Sequence, residues 1–391
     1  MSRAVAAHRE RWRMSAEARA LTIVTAALLA FGLVVMYSAS ALLAVREGHG
    51  SMYYLLRQVS GVAIGAVLFA VAAKTDAERW RTWAWPLLGV SLVLLLIAVL
   101  PFTGAIAPRI NGSRRWVNLG FNFQPSELAK LAVVMWTAML VVKKGDNLRR
   151  LTKGLLPFLV VLGVLSGLVV LEPDLSMVMT FGLIMGVILF AGGVRIGHVV
   201  LLGALAIPVA WRLVEKWQYA LLRMASFLDP GKAPTEVSYQ LKQSLIAVGS
   251  GGLFGVGFGE GRQQAGFLPF PFNDFIGSNI GEEWGFLGLL AVTLVFALYG
   301  WLGFRIARQA RTPFQQLCAV GLTFTMVSTA FLHIGVVIGL LPTTGLTLPF
   351  ISYGRTNLVI SIVMTAILVN IGSTRERVVG AHATDPLAAR A

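Results

Sequence analysis

The chain has 391 residues, of which 56% are hydrophobic and only 13% charged, and its formal charge is +15. A soluble globular protein carries about twice that charged fraction, so composition overrides the two or three soluble domains that length alone would suggest. The single Cys318 excludes an intramolecular disulfide and a cysteine-based metal cluster, and the excess of Lys and Arg reads as the cytoplasmic loops of a membrane protein rather than as a nucleic-acid surface.

Residues 1–20 form a basic tail, expected to be cytoplasmic. No cleavable signal peptide is evident, and the apolar run from Leu21 to Ala44 is too long for a signal-peptide core, so it reads as a signal anchor. A bilayer core needs about 20 apolar helical residues to cross it. Runs of that kind predict spans at 21–44, 52–73, 83–101, 126–143, 154–171, 174–192, 196–214, 282–304, 314–340 and 350–371. The expected fold class is an all-α polytopic membrane protein of about ten transmembrane helices. One transmembrane domain covers 21–371, with a large extracytoplasmic loop at 215–281 between spans seven and eight, and a cytoplasmic tail follows at 372–391. The stretch 154–192 reads either as two short helices broken at Glu172-Pro173-Asp174 or as one re-entrant feature.

Charge orients these spans. With both termini cytoplasmic, the inner side holds Lys74, Arg79 and Arg81, then Lys143, Lys144, Arg149, Arg150 and Lys153, then Arg195, Arg305, Arg308 and Arg311. That is the positive-inside pattern. Two outer loops depart from it. Loop 215–281 carries Lys216, Arg223, Lys232, Lys242 and Arg262, which its length accounts for, because long loops translocate largely regardless of charge. Loop 102–125 is shorter, and its Arg109, Arg114 and Arg115 have two readings, tolerated charge or an anionic ligand. The Gly-rich run GSGGLFGVGFG at 249–259 has no Walker lysine and no strand–turn–helix setting, so a phosphate-binding loop is a weak reading of it.

An ionisable side chain at membrane depth costs several kcal/mol and is a functional hypothesis by default. Glu127 and Lys130 in QPSELAKLA are three apart on one helix face. They read equally as a self-neutralising pair, or as the anchor of a polar site, and Pro125-Ser126-Glu127 also reads as a plain helix start. Asp274 sits among Phe270, Phe272 and Phe275 just before the eighth span, where apolar surroundings would raise its pKa towards that of a working general base; it or Asn273 could instead cap a helix. Glu282 and Glu283 read as interfacial charges, the Glu172 and Asp174 turn as solvated, and His198 and His333 as packing residues. No His/Glu spacing suggests a metal site.

In order and spacing these segments resemble the SEDS family of membrane glycosyltransferases, whose branches serve division, elongation and sporulation. The resemblance runs from about Tyr37 to Asn370 through YSAS at 37–40, RQ at 57–58, NGSRRWVNLG at 111–120 and QPSELAK at 124–130. It continues through EPDLS at 172–176, SYQLKQSLIAVGSGGLFGVGFG at 238–259, the DFIG…GEEWGFLG region and LPTTGLTLPFISYG at 341–354. The GLTLPFISYG form and the basic N-terminal extension look most like the division branch. The resemblance implies a bacterial cytoplasmic-membrane enzyme that polymerises lipid II into glycan strands at the outer face by an inverting displacement, releasing undecaprenyl diphosphate. It implies Asp274 as general base, Glu127 and Lys130 as the family's functional pair, Arg115 and Arg57 as the RW and RQ arginines, and Arg114, Arg115, Arg109 and Lys130 as diphosphate contacts. It also implies a cognate class B penicillin-binding protein and other divisome proteins as partners, and leaves a divalent cation (Mg or Mn) possible with no residue pattern that demonstrates it. Phe270 stands where the family usually has glutamate, Asn273 where it has threonine, Gly277 where it has an aromatic residue or alanine, and SYGRTN replaces SYGG-SS, which brings in Arg355. A flippase for lipid-linked precursors and a non-catalytic divisome scaffold are the alternative readings. A transporter should show inverted repeats, and none is convincing here.

Overall fold

The structure, a computed structural model, describes residues 9–109, 113–216, 218–229 and 235–378. Strand β1 (Arg9–Met14) leads into helices α1 (Ala16–Arg46), α2 (Tyr53–Lys74) and α3 (Arg79–Val99). A small hairpin of β2 (Val117–Asn118) and β3 (Asn122–Phe123) precedes α4 (Pro125–Lys144), α5 (Leu156–Leu171) and α6 (Leu175–Ala191). Then come α7 (Ile196–Lys216), α8 (Gln218–Leu228), α9 (Thr235–Ser250), α10 (Ile276–Arg308), α11 (Pro313–Val337), α12 (Arg355–Ile371) and strand β4 (Ser373–Val378).

Among the described residues seven helical segments are long and apolar enough to cross a membrane, and two shorter apolar helices, α6 and α12, match two more expected spans. The remaining expected span, 196–214, falls on α7. The break at Glu172-Pro173-Asp174 is a turn between two separate helices, α5 and α6. Several boundaries differ from expectation. The eighth span begins at Ile276, the tenth only at Arg355, after an irregular stretch over 342–354, and the 215–281 loop contains α8 and α9. Within the tails, β1 and β4 pair antiparallel from Arg9↔Val378 to Met14↔Ser373, which brings the start of α1 and the end of α12 to one side of the bundle.

Helix α4 is the centre of the bundle. Its span is 89% buried, against 22–33% for the spans of the first three helices, whose outer faces are left for lipid. From Leu131 to Val142 its side chains are apolar on every face except at Thr137, as suits a helix that meets protein all round. Trp136, fully buried in α4, meets Trp85 of α3 and Phe158 of α5 edge to face. Small residues let backbones approach elsewhere, as membrane helices require. A side chain at Gly32 would lie 2.6 Å from the Phe350 carbonyl oxygen.

Helix α10 is interrupted at Gly285 (φ 67°, ψ −165°), a conformation that favours glycine. A break leaves backbone donors and acceptors without helical partners, which is costly at membrane depth. The Gly-rich segment supplies them. Val256 N–H donates to the Glu282 carbonyl (3.0 Å) and Gly257 N–H to the Glu283 carbonyl (3.1 Å), while Phe286 N–H donates to Gly252 (2.9 Å) and Leu287 N–H to Leu253 (3.2 Å). A Cβ at Gly251 or Gly255 would overlap the Gly281 or Glu283 carbonyl oxygen. The glycines of 249–259 therefore permit backbone contact with α10.

The Glu282 and Glu283 side chains are not interfacial charges, as the sequence suggested, but buried anchors for this loop. Glu282 accepts from the backbone N–H of Arg262 (2.9 Å) and Gln263 (3.1 Å). Glu283 accepts from Gly259 N–H (3.1 Å), Gln264 Nε2 (2.9 Å) and the Ser38 hydroxyl of α1. Gly285→Ala, strained at positive φ and blocked by the Gly255 backbone, is expected to destabilise the protein by about 1–3 kcal/mol. A thermal melt of the purified variant would read this as a lowered midpoint, and an unchanged midpoint would mean the junction relaxes freely.

Candidate active site

The turn between α5 and α6 carries the first half of the site. Asp174 caps α6, its Oδ1 accepting from Met177 N–H at 3.3 Å. Arg115, reaching in from the loop after α3, donates from Nε to the Glu172 carbonyl (2.8 Å) and from a terminal nitrogen to the Pro173 carbonyl, and its other terminal nitrogen lies 3.7 Å from Asp174 Oδ2. This grip turns the acidic stretch inward. Glu172 is only 1% exposed and Asp174 8%, whereas the sequence suggested a solvated turn. Neither Glu172 carboxyl oxygen has a hydrogen-bond partner among the described residues. Burial pushes its carboxyl up to about 9, with Asp174 adding to the rise and Arg115 opposing it.

The second half comes from α8 and the irregular segment 342–354. Arg223 donates from Nη1 to the Thr343 carbonyl (3.0 Å), and the Ser176 hydroxyl of α6 donates to the Thr344 carbonyl (2.6 Å). These bonds bring the backbone of Gly345 (φ 76°) beside Asp274, where a Cβ would lie 3.6 Å from Oδ2. Asp274 is partly exposed in the loop before α10. Burial raises its carboxyl, the Arg223 charge pulls it back down, and Asp174 and Arg115 act with smaller and opposite effects. Arg223 in turn falls to about 10, chiefly through loss of hydration, and stays protonated at neutral pH.

Neighbouring main chain fixes the Asp274 loop. Tyr353 N–H donates to the Phe272 carbonyl (2.8 Å) and the Ser352 hydroxyl to the Asn273 carbonyl (2.8 Å). Buried Gln58 of α2 donates to the Ser352 carbonyl (3.0 Å) and accepts from Gly354 N–H (3.3 Å). Of the RQ pair, the glutamine thus supports the site. Arg57 is exposed and lies over the Tyr53 ring at 4.2 Å.

Of the residues singled out in the sequence, Asp274 and Arg115 come together here. Glu127 and Lys130 form a separate buried ion pair at 2.7 Å in the first turn of α4. Arg114 is used structurally, its Nη1 donating to the Leu100 (2.9 Å) and Pro101 (3.2 Å) carbonyls at the end of α3. Arg109 is exposed, with no described contact to the cluster. Phe270 (φ 52°) is 44% exposed beside the site, and Arg355 lies over the Phe121 ring at 5.3 Å. Gly277 leaves space for His333, whose Nε2 accepts from its N–H at 3.2 Å. Sequence reasoning missed Arg223, Asp174, Glu172 and Gln58 as parts of this arrangement. Among the described residues no group of three or more His, Cys, Asp or Glu side chains is placed to hold a metal ion.

Residues 19–377 match the cell cycle protein family that groups FtsW, RodA and SpoVE. The chain belongs to this family. It is 39% identical over 366 residues to the probable peptidoglycan glycosyltransferase FtsW of Trichlorobacter lovleyi, covering 93% of this chain and 95% of that one. It is 36% identical over 355 residues to stage V sporulation protein E of Bacillus subtilis, covering 90% and 95%. Among solved structures it resembles a chain in work on the structural coordination of polymerization and crosslinking by a peptidoglycan synthase complex, with TM-score 0.75, 27% identity and coverage of 90% and 97%. The rod shape determining protein RodA of Thermus thermophilus aligns with TM-score 0.66, 25% identity and coverage of 90% and 95%. The fold is thus that of a polytopic helical SEDS protein.

Glu172 gives this SEDS protein a stability that depends on pH. Its carboxyl titrates near 4.5 when unfolded and near 9 when folded, so between those values the folded chain holds a proton that the unfolded chain has lost. Stability therefore falls as pH rises through that window. Glu172→Gln is expected to flatten the pH dependence of the melting midpoint there. Parallel curves for parent and variant would mean that Glu172 is ionised in the folded protein.

Proposed function

We propose that this protein is a peptidoglycan glycosyltransferase that polymerises lipid II at the outer face of the bacterial cytoplasmic membrane, serving division. The observation that carries the reading is a partly dehydrated aspartate beside two guanidinium groups, in a chain 39% identical to a relative named as such an enzyme. Asp274 is the general base. The acceptor GlcNAc 4-hydroxyl gives its proton to the carboxylate as its oxygen bonds to the anomeric carbon of the lipid-linked MurNAc. The bond from that carbon to the diphosphate oxygen breaks, and its electron pair leaves on undecaprenyl diphosphate. Attack opposite the leaving group converts the α-linkage to β. A raised carboxyl suits base catalysis near neutral pH, and Arg115 and Arg223 supply positive charge for the developing diphosphate.

The same reading places both termini in the cytoplasm. The β1–β4 pairing supports it by bringing residues 9–14 and 373–378 to the same side of the bundle, and the basic loops between spans favour the inner side. A cognate class B penicillin-binding protein is the proposed partner. It is supported by the relative studied within a peptidoglycan synthase complex.

Asp274→Asn is expected to lower glycan-strand formation from purified lipid II by about 10²-fold or more while the protein still folds and binds its partner. Polymer formation at the parental rate would remove Asp274 from the base role. No polymer from the parent complex would favour a flippase or scaffold.

A further inference from the structure

A second charged site lies at the far end of the bundle, where α4 ends and α5 begins. Here a cleft of about 460 Å³ is lined by Lys144, Arg150 and Lys153, together with Asn147 and Thr152, and no acidic side chain lines it. The positive-inside rule needs only cations somewhere in this loop. It does not need three of them around one concavity, where they repel unless an anion enters.

The cleft is built on a fixed turn. Gly145 takes positive φ (49°), and Gly154 packs so closely that a Cβ would lie 2.5 Å from the Asn147 carbonyl oxygen and 2.8 Å from that of Leu148. Leu148 and Leu155 are buried beneath it. Lys144 Nζ donates to the Lys153 carbonyl at 2.7 Å, which ties the two sides together. Above the cleft, α5 exposes Leu156 (54%), Val160 (54%) and Val164 (49%). Their spacing of four residues puts them in one row along the helix. A polar head with an apolar track leading into the bilayer is the shape of a phospholipid.

We propose that this cleft binds the phosphate headgroup of an anionic phospholipid, with an acyl chain lying along Leu156, Val160 and Val164. Lys144, Arg150 and Lys153 give charge-assisted hydrogen bonds to the phosphodiester and headgroup oxygens, and basic pockets between cytoplasmic helix ends bind such lipids. That the lipid comes from the inner leaflet rests on the orientation proposed above. Binding in detergent does not, so the two ideas can fail separately.

The test uses the full chain in neutral detergent with dioleoylphosphatidylglycerol or dioleoylphosphatidylcholine added, and reads retained lipid by native mass spectrometry. Preferential retention of phosphatidylglycerol is expected. It should fall at least about tenfold in Lys144→Gln/Arg150→Gln/Lys153→Gln, and remain in Lys74→Gln/Arg79→Gln/Arg81→Gln, which removes equal charge elsewhere. If the first variant misfolds, Arg150→Gln/Lys153→Gln keeps the Lys144 bond to the backbone and should show the same loss. Undiminished retention in these variants, or equal loss in the control, would overturn the site. Thermal stabilisation by inorganic phosphate equal to that by phosphatidylglycerol would assign the cleft to a free anion and overturn the lipid.

Discussion

Arg115 closes the turn between α5 and α6 from outside, and the charge balance of the site follows from that contact. Its guanidinium satisfies two main-chain carbonyls and faces Asp174. Held in this way, the turn buries Glu172 and carries the Ser176 hydroxyl to the Thr344 carbonyl. The segment so fixed is the one Arg223 holds through Thr343, and it lies against Asp274. With Glu172 protonated, two arginines face two aspartates. Guanidinium groups beside these carboxyls oppose the effect of low hydration on them.

The remainder of the bundle holds this arrangement still. Helix α4 takes up the interior, and α10 begins immediately after Asp274. The break at Gly285 does not loosen α10, because the Gly-rich loop supplies the missing backbone partners and two buried glutamates fasten that loop. Gln58 performs the same service for the Asp274 loop through Ser352 and Gly354. Polar side chains inside this membrane protein thus do two kinds of work. Some satisfy irregular backbone, and others line the proposed active site.

Helices were the legible part of the sequence, because long apolar runs leave little choice in a bilayer. The break in α10 was not legible, since the run continues through Gly285 and the groups that repair it lie about 30 residues earlier in the chain. Asp274 was readable from its phenylalanine neighbours and from the family resemblance. Arg223 was not, as its partner carbonyl at Thr343 is 120 residues away and its loop was long enough to excuse any charge. Glu172 and Asp174 read as solvated because a proline between two carboxylates describes a surface turn, and nothing local announces Arg115, which reaches this turn from 57 residues upstream. Arg114 and Arg115 are adjacent and alike in sequence, yet one holds the end of α3 and the other enters the site.

The central claim is that Asp274 is the general base proposed above, its carboxyl raised by burial and pulled partly back down by Arg223. It is tested most directly by the pH dependence of glycan polymerisation in the parent and in Arg223→Gln. Removing that cation removes the largest influence lowering the Asp274 carboxyl, so the rising limb of the profile should move to higher pH, and the plateau should fall because the same cation also serves the proposed diphosphate. A limb that stays in place while the rate falls at every pH would contradict the account, and would leave Arg223 to act through the diphosphate or the Thr343 backbone without tuning Asp274.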